Sequence, residues 1–187
     1  MLHWAHHNRA GCPDGRLYAD LRGVGDTGEL ALTEALREFL PAFGVPLDRV
    51  PESANGSDAL FRSLAADRRL LVVLDNARDS EQVRPLLPSG RHCVTVVTSR
   101  HRLPGLIVTD TARPVAVDVF GPQDATMLLA AVLGTERVVA EPAAARRLAE
   151  LCDGLPLALR VVAARLTPDP TRPWRRWSPS CPTRRAG

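Results

Sequence analysis

Polar and apolar residues alternate in "GRLYADL", Gly15 to Leu21, as they do in a strand with one wetter face. From Glu29 the spacing changes. Leu32, Leu36, Phe39 and Phe43 recur at helical intervals until Gly44-Val45-Pro46 stops the run. Ser57 is placed to cap a second helix that buries Leu60, Phe61 and Leu64. Leu70 to Leu74 are five consecutive apolar residues, the mark of a strand covered on both faces. Ser80 is placed to cap a short helix ending near Pro85. "HCVTVVTSR", His92 to Arg100, predicts another buried strand, rich in β-branched residues, and "RPVAVDVF", Arg113 to Phe120, a fourth.

After Phe120 the period becomes helical throughout. Pro122 opens a helix with Ala125, Leu128, Leu129, Val132 and Leu133 on one face, closed by Gly134. A second helix runs from about Pro142 to Cys152 and turns Leu148, Leu151 and Cys152 inward. Gly154 ends it, and Pro156 starts a third with Leu159, Val162 and Leu166 on its stripe. The predicted architecture is therefore an α/β core over residues 1–120 and a small all-α subdomain over 121–166. From Thr167 periodicity ends, and a Pro- and Arg-rich tail, residues 167–187, reads as disordered.

Composition narrows the function classes. Apolar content is 45% and charged content 24%, both globular values. No apolar run approaches the ~18 residues of a membrane span, and "MLHWAHHNRAGCP" lacks the apolar stretch of a secretory signal. The four cysteines form no C-x-x-C pair, so reduced thiols and a cytoplasmic setting are expected. All 24 basic residues are Arg, and chemistry that needs a lysine is excluded. The net charge of +3 divides into +4 on the tail and −1 on the rest, so the body of the chain is not expected to bind nucleic acid directly.

Five stretches are candidates for chemistry. Gly23-Val24-Gly25-Asp26-Thr27-Gly28 spells G-x-G-x-x-G. A dinucleotide fingerprint, however, needs a buried strand running straight into its first glycine, and here Arg22 intervenes after an amphipathic strand. Asp26 would repel a pyrophosphate, and no second strand ends in an acid about 20 residues on. A turn with a Thr27 helix cap explains the same letters. "LLVVLDNA" is a stronger signal, because a buried strand ending in Asp75 carries that carboxylate to the sheet edge where ligands and Mg²⁺ bind. An acid capping a strand–helix loop is the plainer alternative. "VTVVTSR" would bring Arg100 to the same edge, able to grip a terminal phosphate with two N–H groups or simply to form a surface ion pair. In "CDGLPLAL" a rigid Pro156 stands at a helix corner, where it can lie against a base or merely start a helix. His3, His6 and His7 share a helical face that could bind a metal, but no carboxylate nearby would orient them, and a polar helix end suffices.

The order of these motifs carries a resemblance. "LLVVLDNARDSEQVRPLLP", "VTVVTSR" and "GLPLALRVVAARL" together resemble the NB-ARC domain of STAND-class P-loop NTPases, in particular the module found in bacterial SARP-type transcriptional regulators. The likeness covers nearly everything up to Leu166. It implies a P-loop NTPase sheet with Asp75 at the Walker B magnesium position, Arg100 as a sensor arginine, and Pro156 and Leu157 of the "GLPL" motif against adenine. The implied cofactors are ADP or ATP with Mg²⁺. The implied behaviour is a switch that ADP holds closed and ATP opens for assembly, with a second copy or a regulatory protein as partner.

The resemblance also exposes a gap. Family members begin with a strand, a Walker A loop G-x-x-x-x-G-K-[ST] and a helix, whose tail "HWAHHNR" resembles. The first strand and the loop are expected to lie before Met1, and the chain to be an N-terminally truncated NB-ARC unit. Asn76 stands where many relatives carry a second acid, and an amide cannot take a proton from water. Little or no ATP hydrolysis is therefore expected. The alternative function is a protein-interaction module that binds no nucleotide.

Overall fold

The computed structural model describes residues 11–22 and 28–167, and it forms two units, Met1–Pro114 and Val115–Gly187. In the first unit, strands β1 (Gly15–Asp20), β2 (Leu70–Ala77) and β3 (Val94–Ser99) make a parallel sheet in the order β1-β2-β3. The connections contain helices α1 (Gly28–Ala42), α2 (Ala54–Ala65) and α3 (Ser80–Val83), and α4 (Pro104–Thr109) follows β3.

β2 lies in the middle, and its apolar run is buried on both faces, with Leu70 to Leu74 each at most 3% exposed. Leu70, Val72 and Leu74 face the larger core with Leu17 and Ala19 of β1, Leu36, Phe39 and Leu40 of α1, and Phe61 of α2. The Phe61 ring packs 5.6 Å from Phe39 and 6.0 Å from Phe43. Leu71 and Val73 point the other way, against Cys12 and Val96. Burying a Leu or Phe side chain stabilises by about 1.5–3 kcal/mol, so this central strand anchors the unit. On β1 the alternation holds, with Leu17 and Ala19 inward and Tyr18 and Asp20 outward.

Several expectations are corrected. β3 is not buried on both faces; among the described strands it bonds to β2 alone and stands at the sheet edge, and Val94 is 44% exposed. The fourth expected strand, "RPVAVDVF", is irregular and exposed, with Val117 94% accessible. Alternation supplies the side chains of a strand but not the hydrogen-bonding neighbour, and no described strand pairs with these residues. The N–H of Phe120 bonds to the C=O of Gly154 instead, at 2.9 Å. Ser53, not Ser57, caps α2 by accepting the Gly56 N–H at 3.2 Å, while Ser57 is buried in the helix and donates to the Pro51 C=O. Asp79, not Ser80, caps α3 by accepting the Gln82 N–H at 2.9 Å.

The second unit is helical: α5 (Pro122–Leu133), α6 (Thr135–Ala140), α7 (Pro142–Leu151) and α8 (Pro156–Leu166). Its core gathers Ala125 and Leu129, Val138, Ala145 and Leu148, Cys152, and Leu159, Ala163 and Leu166. Val132 and Leu151, expected inside, are exposed, because the buried stripes of α5 and α7 are narrower than their apolar faces. α6 was not anticipated; six residues are too few to display a period. The expected disordered tail beyond Thr167, the residues before Gly11 and the Gly23–Thr27 stretch lie outside the described residues.

Candidate functional site

The carboxyl ends of β1, β2 and β3 enclose an open cavity of about 390 Å³ lined by Asp20, Asp75, Asn76, Thr98, Ser99 and Arg100. Parallel pairing in register sets Asp20 directly beside Asp75. Beyond Leu74 the ladder changes. Leu74 pairs with Val97 but Ala77 pairs with Ser99, so the β2 segment containing Asp75 and Asn76 bulges against β3. Asn76 accommodates the bulge with φ +59, a left-handed conformation that asparagine tolerates better than most residues.

Side-chain hydroxyls of β3 replace the ladder bonds that the bulge removes. Thr98 Oγ1 donates to Asp75 Oδ1 and accepts the Asn76 N–H at 2.9 Å. Ser99 Oγ donates to the Ala77 C=O at 2.7 Å and accepts the His101 N–H at 2.9 Å. The Tyr18 hydroxyl reaches Asp75 Oδ2 at 3.4 Å. The Asp75 carboxylate is thus held by a hydroxyl on each side. The Tyr18 phenol is pushed above its ordinary 10.0 by partial burial, and then by the charges of Asp75 and Asp20 and its bond to Asp75. On Asp20, Oδ1 accepts the Arg22 N–H at 3.0 Å. Arg100 is exposed at the rim and forms no ion pair with another described residue, which leaves its guanidinium available to an anion.

Behind the cavity one buried polar side chain ties the sheet end together. Gln82 Nε2 donates to the Leu21 C=O at 2.8 Å, and Gln82 Oε1 accepts the Arg78 N–H at 3.0 Å.

Of the residues singled out in the sequence, Asp75 and Arg100 meet in this cavity. Pro156 and Leu157 open α8 in the other unit, after a corner in which Asp153 (φ +48) and Gly154 (φ +65) are both left-handed. The histidine cluster at His3, His6 and His7 and the glycine pattern at Gly23–Gly25 lie outside the described residues. Asp20, Tyr18, Thr98 and Gln82 were missed. Only Asp20 carried a local signal, since "LYAD" ends in an acid as "VVLD" does.

Among the described residues no three His, Cys, Asp or Glu side chains converge as a metal cluster. Two carboxylates with hydroxyl and amide oxygens nonetheless suit a hard cation such as Mg²⁺, which keeps several waters and needs few protein ligands. The donor set therefore fits Mg²⁺ with phosphate oxygens, and fits a soft metal poorly. A parallel sheet that collects such groups at the carboxyl ends of its strands has the geometry of an α/β ligand-binding core.

Two curated proteins match the chain, both of them regulatory proteins. Over 165 residues, 88% of its length, the chain is 44% identical to the regulatory protein AfsR of Streptomyces coelicolor. It is 42% identical over 165 residues to the regulatory protein AfsR of Streptomyces griseus. The chain spans 16% of the length of each of these relatives. No protein-family model matches the sequence. No helix among the described residues is long and apolar enough to cross a membrane.

Proposed function

We propose that this chain is an NB-ARC-type adenine-nucleotide-binding module of a bacterial transcriptional regulator, built on part of a P-loop NTPase sheet. The cavity at the carboxyl ends of β1–β3 takes the phosphate end of ADP or ATP with Mg²⁺. The observation that carries this reading is the meeting, in one cavity, of the hydroxyl-held Asp75 carboxylate and the Arg100 guanidinium, which forms no ion pair among the described residues. Asp75 and Asp20 would hold the hydrated cation, and the cation would neutralise phosphate charge. Arg100 would bind the terminal phosphate through paired N–H groups. Pro156 and Leu157 are the base-contacting residues that the motif resemblance implies.

The module is a binding switch and a poor ATPase. Its sequence contains no lysine to cradle the phosphates, and Asn76 cannot act as a base. Titration with fluorescent ADP and Mg²⁺ is the test. Binding in the ~0.1–1 mM range is expected, corresponding to ~4–5 kcal/mol from a few contacts. Arg100→Ala and Asp75→Ala should each weaken it, and Gly25→Ala should matter less than Arg100→Ala. The absence of lysine favours a second reading, a protein-interaction module without nucleotide. Failure of the wild-type chain to bind ADP would select it.

A further inference from the structure

The placement of the two cavity carboxylates depends on a side chain that never enters the cavity. The β1–β2 ladder ends at the Asp20–Asp75 pair, and the backbone beyond must be held by other means. One bond is the Leu21 N–H to the Asp75 C=O at 2.9 Å. The others come from Gln82, which is 7% exposed. Its amide N–H donates to the Leu21 C=O, one residue past Asp20, and its amide oxygen accepts the Arg78 N–H, just past the end of β2. Its own backbone N–H is fixed by the Asp79 carboxylate. The neighbours Leu21, Ala77, Val83 and Leu86 are nearly or fully buried, so these bonds lie in a low-dielectric setting where a lost partner is costly. Only a glutamine-length side chain with one donor and one acceptor satisfies both backbone groups at once.

We propose that Gln82 is the positioning residue of this cavity: it joins the strand ends behind Asp20 and Asp75 and holds the two carboxylates side by side for a divalent cation. This rests on the reading of the cavity as a cation–phosphate site. Residues that orient ligands without touching the metal typically change affinity by about 10–100-fold when altered.

The test uses the full chain as wild type, Gln82→Glu and Gln82→Met, with Mn²⁺ alone as probe. Paramagnetic broadening at the amides of Asp20, Asp75 and Thr98 is the readout. At about pH 8 the glutamate is ionised and turns an acceptor toward the Leu21 C=O, so Mn²⁺ affinity should fall about tenfold or more. Toward about pH 5 the buried carboxyl takes up a proton and can donate to Leu21, so affinity should recover. Asp79, the other acid facing this side chain, stays ionised over that range, because the Gln82 N–H and then Arg78 hold its carboxyl below the ordinary 3.8. Wild-type affinity should stay level or weaken over the same range. Gln82→Met should bind weakly at both values. If that variant does not fold, the two pH values of Gln82→Glu carry the test within one protein. Wild-type-like affinity of Gln82→Glu at about pH 8, or the wild-type pH trend, would overturn the proposal. If the wild type itself fails to bind Mn²⁺, the cation reading is wrong, and amide exchange still decides about Gln82. Faster exchange at Leu21, whose N–H bonds to the Asp75 C=O, in Gln82→Glu at high pH, reversed at low pH, would support the tie; unchanged exchange would refute it.

Discussion

Replacing Thr98 with valine keeps the shape of the side chain and removes one hydroxyl, and with it two bonds. The Asn76 N–H loses its acceptor at 2.9 Å, and Asp75 loses its donor. A neutral hydrogen bond contributes about 0.5–1.5 kcal/mol and one to a charged group about 1.5–3. The sum is tempered because Asp75 and Asn76 are only half-buried and water can replace part of the donation to the carboxylate. The added methyl returns at most about 0.8 kcal/mol. A net loss of about 1–3 kcal/mol from the first unit is expected. Thr98→Ser, which keeps the hydroxyl, should cost less than about 1 kcal/mol. Hydrogen exchange of the β2 and β3 amides in a urea series reads this unit independently of the helical one. A double-mutant cycle with Asp75→Ala should give a coupling of about 0.5–3 kcal/mol. A valine variant as stable as wild type, a serine variant as damaged as the valine one, or zero coupling would refute the claim that Thr98 holds Asp75 and the bulge.

Removal of the α3 cap by Asp79→Ala should cost about 1 kcal/mol near neutral pH, measured by urea unfolding. The Asp79 carboxyl is held below the ordinary 3.8 by the Gln82 N–H first and by Arg78 second. Its stabilisation is therefore present above that ordinary value and lost as pH falls through the folded value, so the two proteins should converge in acid. Gly154→Ala should destabilise the helical unit by roughly 1–3 kcal/mol, because φ is +65 and a Cβ would sit 2.3 Å from the Phe120 carbonyl oxygen. Gly134→Ala isolates the backbone strain: φ is +94 but the space is open, so it should destabilise without the added clash. Ultraviolet titration of Tyr18, the one tyrosine in the chain, should place its phenol above the ordinary 10.0, and Asp75→Asn should remove part of that elevation.

The sequence made plain those features that a residue determines with its near neighbours. Leu70 to Leu74 could only be a strand buried on both faces, and an acid ending such a strand has to stand at the sheet edge. Parallel pairing with the next β-branched run then brings Arg100 to that edge. What stayed hidden depends on distant partners. Thr98 bonds across 23 positions of chain to Asp75, and Gln82 across 61 positions to Leu21, and neither pairing leaves a local pattern. The segment 114–120 misled for the same reason, since strand character needs a bonded neighbour as well as alternating side chains. Caps were misplaced by one residue at Asp79 and by four at Ser53, because several polar residues near a helix start can cap and the path of the incoming chain selects among them.

On the function proposed above, the edge formed by β1, β2 and β3 binds the phosphate end of an adenine nucleotide with Mg²⁺. The most direct measurement is a map of amide shifts in the ¹⁵N-labelled chain as Mg²⁺ and ADP are added. Saturable shifts should centre on Asp20, Leu21, Asp75, Asn76 and Thr98 to Arg100, and Arg100→Ala should remove them. Shifts confined to other residues, or none at millimolar ADP, would contradict it.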